Sequence, residues 1–147
     1  VGSALKPETV ERIYRIRRRS KSKPFIILIS ALSDLKKFDV KLTEAQIKFL
    51  KKIWPNPVSI VLSGLAFRMP NNKKLLELLK RVGPLVAPSA NIEGEKPAEN
   101  ILEAKKYFGE NVDFYVDGGI LKSEPSTIIR LNKNADTEIL RQGQFRL

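Results

Sequence analysis

The sequence predicts one mixed α/β domain, and three observations carry that reading. Short apolar runs of strand length alternate with stretches whose apolar residues recur at helical spacing. Proline, glycine and asparagine punctuate the boundaries between them. The chain has 147 residues, 42% of them apolar and 29% charged, which suits one folded core and argues against disorder. No internal repeat or dividing linker is visible, so residues 1–147 are read as one domain.

The elements follow in order. Pro7 opens a helix, because its missing N–H would be unpaired at the first helical position anyway. Val10, Ile13, Tyr14 and Arg17 continue it to about Ser20. Phe25–Ile29 reads as a buried strand, which leaves a basic connection before it. Thr43 and Gln46 form a capping box for a second helix, which Pro55-Asn56-Pro57 stops. Val58–Leu62 and Leu65–Met69 are strands joined tightly through Ser63-Gly64. A helix from about Lys73 to Arg81 ends at Gly83. Leu85–Ala87 is a short buried strand that runs into Pro88-Ser89-Ala90-Asn91. Pro97–Phe108 is a helix closed by Gly109, and Val112–Val116 is a strand ended by Asp117-Gly118-Gly119. Thr127–Leu131 and Glu138–Leu140 are the last strands. The chain begins almost at a helix where a strand is the usual neighbour, so it is expected to be incomplete at its N-terminus.

Composition excludes several chemistries. There is no cysteine, so disulfides, thiolate nucleophiles and sulfur-ligated metals are ruled out. There is no histidine, so a general base must be a carboxylate, a lysine, a backbone group, water or the substrate. No metal site is predicted. No apolar run is long enough for a membrane-spanning helix, and no membrane association is expected. The expected compartment is the cytoplasm. The formal charge is +11, and residues 1–24 concentrate it, with eight Lys/Arg against two Glu. Such a field draws polyanions or phosphorylated ligands. On charge alone, a solvated basic face without a partner is an equal reading.

Four groups of residues can carry chemistry. Arg19 and Lys23 flank the basic connection, where a planar fork and a mobile ammonium suit phosphate. Ser89 and Asn91 follow a buried strand, where open α/β sheets place ligand loops. Their plain alternative is a capping turn. Arg68 is a lone charge in an apolar strand, either an edge residue facing water or a carboxylate clamp. Ser126 opens one late strand and Arg141 follows another. Neither Gly-rich phosphate motif, G-x-x-x-x-G-K-[ST] or G-x-G-x-x-G, occurs.

Taken in order, these pieces resemble the YrdC-like domain of threonylcarbamoyl-AMP synthases. The resemblance rests on Arg17-Arg18-Arg19 with Lys23-Pro24, where the family has Lys-Gly-Arg followed by proline. It continues through Trp54-Pro55-Asn56-Pro57-Val58-Ser59, Arg68-x-Pro70 and Pro88-Ser89-Ala90-Asn91 with Gly94. It ends with Asp117-Gly118-Gly119, Ser126-Thr127-Ile128-Ile129 and Ile139-Leu140-Arg141-x-Gly143. The family's first strand and its Pro-Thr-x-Thr…Tyr-Gly-Leu motif would precede Val1. Arg17 stands where the family has lysine, Ser20 where it has proline, Asn56 where it has glycine and Ser59 where it has threonine.

The resemblance implies a twisted mixed sheet with flanking helices around a basic cavity. It implies a nucleotidyltransferase that forms L-threonylcarbamoyladenylate from ATP, L-threonine and bicarbonate and releases pyrophosphate. The product serves the t6A modification at position 37 of tRNA. Arg17, Arg19 and Lys23 would meet ATP phosphates, with Arg19 and Lys23 stabilising the leaving pyrophosphate. Ser89 and Asn91 would hold the adenylate portion, and Arg141 would complete the nucleotide contacts. Arg68 would bind the threonine carboxylate and Ser126 would position threonine. Magnesium would accompany ATP. Further implied partners are tRNA or double-stranded RNA and other proteins of the t6A pathway. The alternative reading is a YrdC-like RNA-binding or regulatory protein with impaired catalysis.

Overall fold

The computed structural model describes residues 1–122 and 124–147. Its strands are β1 (Gly2–Ser3), β2 (Ile26–Leu28), β3 (Val58–Leu62), β4 (Leu65–Arg68), β5 (Leu85–Val86), β6 (Thr127–Leu131) and β7 (Thr137–Arg141). They form one seven-stranded sheet in the order β1-β5-β2-β4-β3-β6-β7. The pairs β2–β4 and β3–β6 are parallel, and β3–β4, β2–β5, β1–β5 and β6–β7 are antiparallel. The helices are α1 (Pro7–Ile16), α2 (Glu44–Ile53), α3 (Lys73–Val82) and α4 (Ile101–Phe108), with 3-10 turns at Leu32–Phe38 and Gly109–Asn111. The α/β class read from the sequence is the observed one.

Local chemistry sets most boundaries. Thr43 accepts from Gln46 N at 3.2 Å, and Gln46 Oε1 accepts from Thr43 N at 3.0 Å, the predicted capping box of α2. Asn72 caps α3 by accepting from Leu75 N, and Gly83 ends it at φ 82°. Three expectations shift. α1 stops at Ile16, short of Ser20, because Arg18 takes a left-handed φ of 49°. α4 starts at Ile101, four residues after Pro97, because Asn100 caps it by accepting from Glu103 N. Val112–Val116 is not a strand. Its alternating pattern finds no ladder partner among the described residues, and Phe114 and Val116 stay 78% and 80% exposed. A strand exists by pairing, whatever its sequence pattern. The two-residue β1, unread in the sequence, pairs instead with β5 through Gly2↔Val86 and Ser3↔Leu85.

The pleat divides the sheet into two unlike faces. Val58, Ile60 and Leu62 of β3, Phe67 of β4, Ile129 and Leu131 of β6 and Ile27 of β2 join one apolar core with Leu50, Ile53 and Trp54. The intervening positions turn to the other face. There Leu28 and Leu85 pack under Leu79 of α3, while Ser59 and Arg68 bring polar groups.

The C-terminal segment is fastened by one hydroxyl. Thr127 is fully buried, and its Oγ1 accepts from Gly143 N at 3.1 Å and Phe145 N at 3.2 Å and donates to Phe145 O at 2.6 Å. Thr127→Val keeps the shape but leaves those N–H groups without an acceptor. It is expected to cost about 1–3 kcal/mol, read as a lower urea midpoint at unchanged slope.

Candidate functional site

The first group of polar residues stands on the second face of the sheet. Ile60 pairs with Phe67 across the antiparallel β3–β4 ladder, so Ser59 falls opposite Arg68. Val58 pairs with Thr127 in the parallel β3–β6 ladder, which brings Ser126 beside Ser59. The two hydroxyls are buried and 2.9 Å apart. Arg141, at the end of β7, donates from its terminal nitrogen to Ser126 O at 2.7 Å and from Nε at 3.3 Å. Gly143 lies so close that a Cβ there would sit 2.2 Å from Pro125 O and 2.7 Å from Ser126 O, so only glycine fits. Register therefore sets Arg68, Ser59, Ile128 and Arg141 in one row across four neighbouring strands, with Ser126 hydrogen-bonded to Ser59, although 73 residues separate Arg68 from Arg141.

Arg68 is the exception to the accounting of polar groups. Its Nε is buried with no hydrogen-bond partner among the described residues, and no ion pair involves its guanidinium there. Burial pulls its pKa below the ordinary arginine value. Leaving a buried charged donor unpaired costs about 1–3 kcal/mol or more, and Nε is the part of this half-buried side chain to which that applies. The reading of Arg68 as a solvent-facing edge residue does not hold: β4 lies between β2 and β3.

The second group is built on the turn after α1. Arg17 is 4% exposed. It donates from Nε to Asn91 O at 2.9 Å, and from a terminal nitrogen to Asn91 Oδ1 at 2.8 Å and Ser89 Oγ at 3.3 Å. The Asn91 amide nitrogen donates to Ile92 O and Glu95 O, both at 2.8 Å. Arg17 thus braces the Ser89–Asn91 turn. Burial, then repulsion from Arg19, lowers its pKa, while Glu93 offsets part of that. Tyr14 and Phe25 stack at 4.2 Å between centroids, and the Arg19 guanidinium lies 5.4 Å from the Phe25 ring. Arg19 Nε donates to Lys23 O at 3.1 Å, which closes the loop on itself. Lys23 Nζ reaches Glu93 Oε1 at 2.6 Å. Glu93 was invisible to sequence reasoning. The only signal was an acidic residue in the turn before Gly94.

The two groups sit toward opposite ends of the strands. In the β2–β5 register Leu28 stands opposite Leu85, and Leu28 also pairs with Arg68. Ser89 lies in the loop beyond β5, past Ala87, whose N–H still donates to Ile26 O at 3.1 Å. A cavity of about 550 Å³ adjoins the second group, lined by Ile13, Arg12, Arg17, Ser89, Phe108 and Phe114 among others. That volume suits a small-molecule ligand. A second cavity of about 550 Å³ lies between the 3-10 turn at Leu32–Phe38 and α2, and none of the predicted site residues lines it.

The chain is similar to known proteins in sequence and in fold. The Sua5/YciO/YrdC family model, described as telomere recombination, matches residues 1–143. A threonylcarbamoyl-AMP synthase of Klebsiella pneumoniae is 31% identical over 153 residues, covering 91% of this chain and 78% of the relative. A threonylcarbamoyl-AMP synthase of Pyrococcus abyssi is 30% identical over 150 residues, covering 90% of this chain and 44% of the relative. The crystal structure of P. abyssi Sua5 complexed with L-threonine superposes with a TM-score of 0.80 at 27% identity, over 95% of this chain and 46% of that one. The chain spans less than half the length of the P. abyssi protein and most of the K. pneumoniae one.

The left-handed Arg18 gives a direct test of the loop. Replacing it with glycine removes the clash of Cβ with the backbone at φ 49°. Arg18→Gly is expected to stabilise the chain by about 0.5–1 kcal/mol, seen as a higher thermal midpoint. An unchanged or lower midpoint would show that the loop does not hold this conformation.

Proposed function

The chain belongs to the Sua5/YciO/YrdC family, and from that premise we propose that it forms L-threonylcarbamoyladenylate from ATP, L-threonine and bicarbonate. The observation that carries the proposal is the unpartnered, buried Nε of Arg68. A guanidinium without an acceptor, on a face that also carries the Ser59 and Ser126 hydroxyls, matches the carboxylate of an amino acid. The threonine complex of the related P. abyssi protein supports the same substrate.

The reaction needs no nucleophile from the protein, which is consistent with a chain that lacks cysteine and histidine. The threonine amine attacks the bicarbonate carbon, and loss of water leaves a carbamate. A carbamate oxygen then attacks the α-phosphorus of ATP. The bond from that phosphorus to the bridging oxygen breaks, and pyrophosphate leaves. The protein contributes proximity and charge. Arg68 and Ser126 hold threonine by its carboxylate and neighbouring polar groups. Arg19 and Lys23 neutralise the triphosphate and the departing pyrophosphate. Arg17 acts mainly through the turn it braces, so the Ser89 hydroxyl meets the adenylate in a fixed conformation, while the buried Asn91 side chain serves the adenylate by holding that turn through Arg17, Ile92 and Glu95. Arg141 keeps Ser126 in place and completes the nucleotide contacts. Magnesium enters with ATP as part of the substrate, on phosphate oxygens and water. The product would serve tRNA t6A modification, which makes a tRNA-modifying partner the consumer of this intermediate.

The decisive assay is pyrophosphate release from ATP that requires both L-threonine and bicarbonate. Release is expected with all three substrates and not when any is omitted. No release under any condition would overturn the reading. Two variants divide the site. Arg68→Gln is expected to raise the threonine concentration needed by at least tenfold with nucleotide affinity unchanged, on the order of the 1.5–3 kcal/mol of a charged hydrogen bond. Arg19→Ala is expected to weaken ATP binding by about 1–3 kcal/mol in a calorimetric titration.

A further inference from the structure

The turn that follows Asn91 puts a carboxylate where the basic loop directs its donors. Glu93 Oε1 accepts from Lys23 Nζ at 2.6 Å, and Oε2 accepts from Ser20 N at 2.8 Å. Its own N–H donates to Arg17 O at 2.9 Å, which locks the turn against the loop. The Lys23 contact, then the Ser20 N–H, hold the Glu93 carboxyl below its ordinary pKa, and Arg19 adds to the effect at longer range. An ammonium, a backbone N–H and nearby guanidinium charge therefore converge on one anion. The same donors suit the oxygens of a phosphate.

We propose that Glu93 is an internal counter-ion that occupies the phosphate position of the basic loop and must yield Lys23 when a polyphosphate binds. The inference rests on the assignment of Lys23 to the triphosphate made above, and it adds a residue that sets affinity. The Lys23 side chain is 61% exposed and that of Glu93 24%, so the pair sits near the surface, where an ion pair is worth little and is readily exchanged. A polyphosphate brings more negative charge and more acceptor oxygens than one carboxylate, so it wins Lys23. Glu93 then faces the phosphate as a like charge and limits how tightly it is held. A limit of this kind favours release of pyrophosphate.

The test is calorimetric titration with inorganic tripolyphosphate and, separately, ATP, at fixed pH and salt. Glu93→Gln keeps an acceptor for Ser20 N and removes the charge. It is expected to bind tripolyphosphate about three- to tenfold more tightly than the parent chain, with an unchanged circular dichroism spectrum. Lys23→Met in the Glu93→Gln background is expected to abolish the gain. Equal or weaker binding by Glu93→Gln would overturn the proposal, since Glu93 would then be a strut that presents Lys23. A gain that survives Lys23→Met, or no tripolyphosphate binding to either chain, would also overturn it. Tighter tripolyphosphate binding without ATP binding would uphold the counter-ion and count against the ATP-dependent activity.

Discussion

The pleat of β3 is the constraint on which the rest of the molecule depends. Val58, Ile60 and Leu62 must enter the core, because each is almost wholly buried among apolar neighbours. Alternation then leaves Ser59 no choice of face. The antiparallel register with β4 places Arg68 opposite it, and the parallel register with β6 brings Ser126 alongside. A slip of one residue in either ladder would turn these groups into the core and expose Phe67 or Ile129. Hydrophobic burial thus fixes where the polar site stands. Thr127 then anchors the tail that carries Gly143 against Ser126.

The basic loop follows a different logic. Its position depends on polar and aromatic contacts at the end of α1, anchored on Phe25 at the margin of the core. Arg17 is taken inward by the Ser89–Asn91 turn, and the Tyr14–Phe25 stack supports Arg19. The loop's net charge is moderated locally by Glu93. Positive charge is thereby concentrated at the end of α1, apart from Arg68 on β4. In a chain with no histidine or cysteine, fixed charges of this kind are what the fold can offer a bound anion.

Much of this was legible in the sequence where the signal was local or strictly periodic. The Thr43–Gln46 capping box, the Gly83 stop and the apolar strand Val58–Leu62 all depend on residues a few positions apart. Features set by distant partners were not legible. Val112–Val116 has strand alternation but no neighbour to pair with, whereas Gly2–Ser3 lacks any strand pattern and pairs through β5. The end of α1 is not legible from apolar spacing, because it is set by the left-handed backbone of Arg18. The site residues were nameable by resemblance, but their partners were not. That Arg17 would be spent on Asn91 while Arg68 kept a bare Nε follows only from three-dimensional packing.

The proposed function turns on Arg68 Nε as the partner of a substrate carboxylate. A crystal structure of the chain with L-threonine and an ATP analogue carrying a methylene bridge between the α- and β-phosphorus tests this pairing. The expected result is the threonine carboxylate within hydrogen-bond distance of Arg68 Nε, its hydroxyl or amine near Ser126, and the phosphates on the Arg19–Lys23 loop. Threonine ordered elsewhere, with Arg68 Nε still unpartnered, would contradict it.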